Sequence, residues 1–179
     1  YNDDRRFYFG SEMSLESNGS DGELWFMNTR WKFEAEWRLG LNDKDGYETE
    51  SHFGRYMDKN QFLFAYAGWD WRYRDETETE TNLFNQTSTK NKRGVAHIGV
   101  EYTLPFFIKS DVSVDHTGYV RVQLKREDIP VTKRLRLWGM YNTDFEYNFG
   151  AKYILTKYIS ASSHYDSDMG FGAGSTFTY

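Results

Sequence analysis

Hydrophobic and polar residues alternate along most of this chain, and the pattern is clearest at its end. In residues 171–179 the odd positions are mostly aromatic, and the even positions are glycine or threonine. Because successive side chains of a strand point to opposite faces, this segment has one apolar face, one small polar face and a terminal aromatic ring. Such a strand is typical of the closing strand of an outer-membrane β-barrel, although a soluble β-sandwich could also end this way.

The same period of two, which predicts strands rather than helices, recurs throughout the chain. The predicted strands are residues 5–18, 25–41, 47–56, 61–73, 93–104, 106–115, 119–125, 134–142, 145–155, 159–166 and 171–179. Residues 25–41 are too long for one membrane strand, which needs about 9–11 residues. We therefore expect a tight turn at residues 28–30 that preserves the alternation. The sequence predicts an all-β, antiparallel transmembrane β-barrel, with residues 1–179 as one domain. It has about 12 strands, or about 10 if the first segment lies outside the wall.

The connections between the predicted strands fall into two groups. Residues 58–60, 104–105, 128–133 and 155–158 are short turns on the predicted periplasmic side. Residues 18–22, 42–46, 74–92, 116–118 and 166–170 lie on the outer side. Residues 74–92 are the longest polar stretch and lack the apolar content needed to pack, which predicts a mobile, solvated loop. Short periplasmic turns and longer external loops are the asymmetry expected of an outer-membrane barrel.

Alternation alone does not show which face is outside, since a lipocalin-like barrel buries its apolar residues. Three observations favour lipid contact for the apolar face. The polar face carries both charges and glycine, and the middle of the apolar face carries almost no charge, where Lys or Arg would cost about 2–4 kcal/mol. Aromatic residues near strand ends indicate interfacial girdles: Trp25, Trp37, Tyr47, Tyr56, Trp69, Trp71, Tyr102, Tyr141, Tyr153, Tyr165 and Tyr179.

Composition changes this interpretation little. The mean hydropathy of -0.80 argues only against helical spans, which need about 20 consecutive apolar residues. A net charge of -5 argues against nucleic-acid binding, and the absence of cysteine excludes thiolate sites. We expect a protein of the Gram-negative outer membrane that contacts its lipids and lipopolysaccharide.

Several short motifs resemble the barrel of the copper resistance protein B family. They are GVEYTLPFF at 99–107, SDVSVD at 110–115, GYVRVQL at 118–124 and VTKRLRL at 131–137, with ELW at 23–25, ETE at 48–50 and QFLFAYAG at 61–68 upstream. The similarity covers most of the chain from about residue 22. It implies copper handling or passage at the outer membrane, with a periplasmic copper oxidase or copper carrier as a partner. Family members commonly carry a Met- and His-rich segment before the barrel, which these 179 residues do not include.

Copper ions take imidazole and thioether ligands. The ligand candidates on the predicted lumen face are His52, His97, His164 and Met140, with acidic neighbours Glu50, Glu101 and Asp166. The alternative for each histidine is a place in a hydrogen-bonded lumen network. Met13, Met27 and Met57 are expected to contact lipid.

An enzyme would need a nucleophile, a base and an acid that converge at one level of the barrel. Ser162, His164 and Asp166 share a face at a spacing of two, but side chains so spaced are about 7 Å apart along a strand. That spacing is loose for a triad, so we expect no enzyme. The alternatives to a copper role are a small channel for another solute and a structural barrel without transport.

Overall fold

The computed structural model describes residues 6–41, 46–73, 79–89, 93–167 and 169–179. Within these residues, twelve antiparallel strands form one closed barrel, in which the first strand pairs with the last. The wall strands are β1 (Tyr8–Glu16), β2 (Gly19–Met27), β3 (Trp31–Gly40), β4 (Tyr47–Tyr56), β5 (Leu63–Tyr73), β8 (Arg93–Leu104), β9 (Ile108–Asp115), β10 (Val120–Pro130), β11 (Leu135–Asn142), β12 (Tyr147–Ile154), β13 (Ile159–Asp166) and β14 (Gly170–Thr178). The strands β6 (Thr79–Thr81) and β7 (Thr87–Thr89) form a separate hairpin. The predicted twelve-stranded barrel is confirmed, and the ten-stranded alternative is wrong.

The strand connections group at the two ends of the barrel as predicted. One end, which we name the short-turn end, carries the turns after β2, β4, β8, β10 and β12. The other, the long-loop end, carries the remaining connections, including the long one between β5 and β8. Two predicted boundaries are wrong. The first external turn lies at residues 17–18, before β2, and β10 continues past a bulge near Asp128 as far as Pro130.

The predicted hairpin within residues 25–41 is present. The side-chain oxygen Oδ1 of Asn28 accepts hydrogen bonds from the backbone N–H groups of Arg30 (2.8 Å) and Trp31 (2.7 Å), and the Asn28 N–H donates to the Trp31 carbonyl (2.9 Å). An asparagine that folds its side chain back on the following N–H groups is a common way to close a turn.

This turn does not preserve the alternation, so that part of the prediction is wrong. Met27 pairs with Lys32, and directly opposed residues of an antiparallel pair lie on the same face. The inward positions therefore change from odd numbers in β2 to even numbers in β3. Trp25 and Met27 both line the lumen, so Trp25 is no girdle residue and Met27 is no lipid contact. Tyr56 also lines the lumen instead of a girdle.

The barrel buries polar side chains and exposes apolar ones. Among the residues that the structure describes, three hydrophobic residues are buried (Phe64, Tyr66 and Val95), against seventeen polar or charged ones. Outward-facing residues such as Phe53 (55% exposed) and Ile98 (67% exposed) form the apolar outer face. A lipocalin-like barrel has the reverse arrangement, so the predicted orientation of the two faces is confirmed. This surface fits an outer-membrane protein.

The connection between β5 and β8 was predicted to be a mobile loop throughout. Its described part, residues 79–89, is instead a hairpin docked on the long-loop end. Asn82 is 2% exposed, and its Nδ2 donates to the Val120 carbonyl (3.0 Å). Gln86 accepts a bond from the Val120 N–H (2.8 Å) and donates to the Gly118 carbonyl (2.9 Å). Polar contacts to backbone groups replace the apolar contacts that the segment lacks. In the described part of the chain, no helix is long and apolar enough to cross a membrane.

Candidate functional site

The lumen contains a cavity of about 660 Å³. Among the described residues that line it, twelve are Asp or Glu and six are Lys or Arg, which gives the lining a formal charge of -6 with histidine counted as neutral. Walls of low dielectric strengthen the field of such charges. The cavity therefore attracts cations and repels anions.

Two of the predicted ligands, His52 and His97, meet on this wall. His52 lies on β4 and His97 on β8, with β5 between them, and both pair with Gly68 of β5. A Cβ atom on Gly68 would lie 2.5 Å from Cδ2 of His52 and 2.6 Å from Nε2 of His97. The missing side chain at Gly68 therefore leaves the space in which the two rings approach each other, a known use of glycine within strands.

The atoms that converge here carry lone pairs. Nε2 of His52 lies 2.8 Å from Nε2 of His97 and 2.8 Å from Oε1 of Glu50. Nε2 of His97 lies 3.8 Å from the same Glu50 oxygen, and its Nδ1 lies 3.4 Å from Oδ1 of Asp70. One ligand atom from each of these four residues fits within a group whose members all lie within 4.8 Å of one another. We name Glu50, His52, Asp70 and His97 the histidine cluster.

Hydrogen bonds alone do not satisfy the histidine cluster. A ring nitrogen carries one proton or one lone pair, so Nε2 of His52 has no ideal way to serve both partners at 2.8 Å. Nδ1 of His97 and Oδ1 of Asp70 are buried and have no hydrogen-bond partner among the residues that the structure describes. A cation that accepts several of these lone pairs would remove the conflict.

The size of the cluster also suits a transition-metal ion. With metal–nitrogen bonds of about 2.0–2.1 Å, two imidazole nitrogens on a tetrahedral ion lie about 3.3 Å apart. The observed 2.8 Å would have to widen by about half an ångström to hold such an ion. Imidazole and carboxylate donors together suit copper or zinc rather than calcium or magnesium, which prefer oxygen alone.

Arg121 would compete with such an ion for the carboxylate of Glu50. A terminal guanidinium nitrogen of Arg121 lies 2.8 Å from Oε1 of Glu50, the oxygen that also faces His52. The guanidinium thus neutralises Glu50 from across the lumen. A metal ion would share or take this carboxylate, and Arg121 would lose part of its pairing.

The structure places His164 elsewhere. His164 lies on β13, five strands away from His52 around the wall. Its Nδ1 forms an ion pair with Glu16, and its Nε2 lies 3.4 Å from Nδ2 of Asn18. His164 therefore lies in a polar lumen group with Glu16 and Asn18, away from the histidine cluster. The hydroxyl of Ser162 donates to Glu16 (2.9 Å) and so is committed to that carboxylate.

The other predicted ligands also lie apart from the histidine cluster. Asp166 is 1% exposed and binds Arg38 (3.4 Å) and Nδ2 of Asn148 (3.2 Å). Met140 and Glu101 line the cavity on β11 and β8. Of the seven candidate residues named from the sequence, His52, His97 and the acidic neighbour Glu50 come together.

Sequence reasoning missed Asp70 as a ligand and Gly68 as the residue that makes room for the rings. Both lie on the polar face of β5 and were visible there as a pattern. A glycine inside a strand is a signal of close approach, but its neighbours across two other strands follow only from the pairing register.

Comparison with known proteins gives a limited result. No protein-family description matches the chain, and no curated protein matches it. Two multiply substituted variants of the Rhodopseudomonas blastica porin, and a structure described as "Asymmetric conductivity of engineered proteins", are similar at 10% sequence identity and a TM-score of 0.44. Each alignment covers 90% of this chain and 56% of the other, so the chain spans little more than half of those structures.

Proposed function

We propose that this protein is a barrel of the Gram-negative outer membrane that binds and passes copper ions through its lumen. The observation that carries the proposal is the convergence of His52, His97 and Glu50 within a negatively charged cavity. Two imidazoles and a carboxylate bind copper, and the charge of the lining concentrates cations near them.

Two further features support this proposal. The exposed apolar outer face is suited to lipid, as an outer-membrane location requires. One motif similar to the copper resistance protein B family, ETE at 48–50, ends at Glu50, two residues before His52 on β4. A periplasmic copper oxidase or carrier would then meet the barrel at the short-turn end.

The second candidate function is a small cation channel without a dedicated metal site. The contact between Arg121 and Glu50 favours this alternative, because it already neutralises one ligand of the cluster. An enzyme is the weaker alternative, since the hydroxyl of Ser162 is bonded to Glu16 and not to a histidine.

Isothermal titration of the detergent-purified barrel with Cu²⁺ separates the first two candidates. The variants His52→Ala and His97→Ala should each lose copper binding. His116→Ala, in an exposed loop at the long-loop end, is the matched control and should bind as the wild type does. His164→Ala tests whether the Glu16 network contributes. No copper binding by the wild-type barrel would reject the copper role and favour the channel.

A further inference from the structure

Five carboxylates lie side by side across five adjacent strands of the lumen wall. Glu12 of β1 pairs with Glu23 of β2, Glu23 with Glu36 of β3, Glu36 with Glu50 of β4, and Glu50 with Asp70 of β5. We name these five residues the carboxylate row. Directly opposed like charges destabilise a sheet, so the row needs cations to balance it.

The carboxylate row is inclined along the barrel axis instead of forming a ring at one depth. Strands of a barrel tilt by about 35–45° and lie about 4.8 Å apart, so a row of paired residues rises about 3 Å per strand. Four steps give about 12 Å. The two ends of the row differ in the same direction, since Glu12 lies four residues from the short-turn end of β1 and Asp70 lies seven from that end of β5.

Basic side chains from other strands of the wall neutralise only part of the row. Their closest contacts are Lys152 to Glu12 (3.0 Å), Lys125 to Glu36 (3.5 Å) and Arg121 to Glu50 (2.8 Å). Glu23 instead shares a group with Glu34 and Glu36, in which carboxylate oxygens lie within 4.8 Å of one another. The lysines and the arginine reach the row on long side chains, which a mobile cation can displace.

Asp70, the row member nearest the long-loop end, lies beside a buried nitrogen of His97 that lacks a hydrogen-bond partner among the described residues. The side chain of His97 is 3% exposed, and its Nδ1 has no hydrogen-bond partner although it lies 3.4 Å from Oδ1 of Asp70. The Asp70 oxygen is likewise without a partner. A cation that moved along the row would meet Glu50 first and then reach these two atoms, so the row ends within the histidine cluster.

We propose that the carboxylate row is a cation path, which runs from the short-turn half of the lumen up to the histidine cluster. Neighbouring carboxylates at the spacing of paired strands are close enough for a cation to pass from one to the next. The barrel is then a cation-selective pore, and its selectivity depends on Glu23 and Glu36. The inference rests on the proposed function only for the identity of the ion that the path delivers.

Planar-bilayer recordings under a KCl gradient test the path. The reversal potential of the wild type should show a preference for K⁺ over Cl⁻, and the double variant Glu23→Gln/Glu36→Gln should reduce that preference severalfold. Glu101→Gln is the matched control, because Glu101 also lines the cavity but lies outside the row. A wild type that is non-selective, anion-selective or non-conducting overturns the proposal, as does an equal effect of Glu101→Gln.

Copper titration of the same variants distinguishes this inference from the proposed function. The double variant should still bind Cu²⁺, since neither substituted residue belongs to the histidine cluster. Selectivity that depends on Glu23 and Glu36 in a barrel that binds no copper supports the path and rejects the copper role. Copper binding without cation selectivity does the opposite.

Discussion

Gly68→Ala is the substitution that most directly tests the histidine cluster. The new methyl group would lie 2.5 Å from a carbon of the His52 ring and 2.6 Å from Nε2 of His97. Ordinary van der Waals contact begins at 3.4 Å, so the two rings must each withdraw by almost 1 Å. The same methyl meets the Ser51 carbonyl oxygen at 2.6 Å, so part of the strain falls on the backbone.

We expect two separable consequences of this crowding. Overpacking costs about 1–3 kcal/mol of stability. Loss of ligand positioning costs about 10–100-fold in metal affinity, the range seen when residues that orient metal ligands are replaced. Copper titration measures the affinity, and unfolding by urea from lipid vesicles measures the stability.

Gly139→Ala is the matched control for Gly68→Ala. Gly139 lies on the outward face of β11, and the nearest atom to its added Cβ is 4.0 Å away. This variant should keep both stability and copper affinity. If Gly68→Ala folds and binds copper as tightly as the wild type, the two imidazoles do not share an ion.

A double-mutant cycle separates the contact of the new methyl group with the rings from its effect on the backbone. In a His52→Ala background the added methyl group meets one ring fewer, so Gly68→Ala should lower the free energy of unfolding by less than it does in the wild type. Residues in contact are expected to show such non-additivity. Additive losses would mean that Gly68→Ala acts through the backbone and not through the rings.

Four further outcomes follow from the structure. Arg121→Gln should strengthen copper binding severalfold in calorimetry, because it frees Glu50. It should also destabilise the barrel by about 3–5 kcal/mol, because Glu50 is left as an unpaired charge. An unchanged copper affinity would mean that the guanidinium does not compete. Copper affinity should fall as the pH is lowered from about 7.5 to about 5.5, because protons compete for the imidazole nitrogens; a pH-independent constant would argue against histidine ligands. Asn82→Ala should weaken the docking of the hairpin of residues 79–89 by about 1–3 kcal/mol and speed hydrogen exchange there. Leu83→Ala, which changes an exposed side chain, should do neither. Ile98→Lys should destabilise the barrel in vesicles by about 2–4 kcal/mol, and a neutral effect would argue against lipid at this face.

The period of two largely determined the fold class. Alternation is a local property, because each strand residue points to the face opposite its neighbour whatever the partner strand is. The sequence therefore predicted eleven of the twelve wall strands closely, apart from their ends, and the hairpin that supplies the twelfth strand. The charges on the polar face and the uncharged apolar face predicted which side faces outward, and the structure agrees.

Errors appeared where a turn or a loop decides the result. The parity change between Met27 and Lys32 depends on the number of residues in one turn, which periodicity does not reveal. The docking of residues 79–89 depends on backbone groups of Gly118 and Val120, which are distant in sequence. Composition describes a segment's own tendency and not the partner it meets.

The candidate site shows the same division. The sequence by itself identified His52 and His97 as inward-facing side chains with metal-binding chemistry. Only the tertiary structure decided that these two meet while His164, Met140, Glu101 and Asp166 lie apart from them. The strand register brings both rings to a glycine of the strand between them, Gly68, where no side chain separates them. The physical reason is that alternation assigns a residue to a face, whereas distance across that face depends on how far neighbouring strands are shifted along one another.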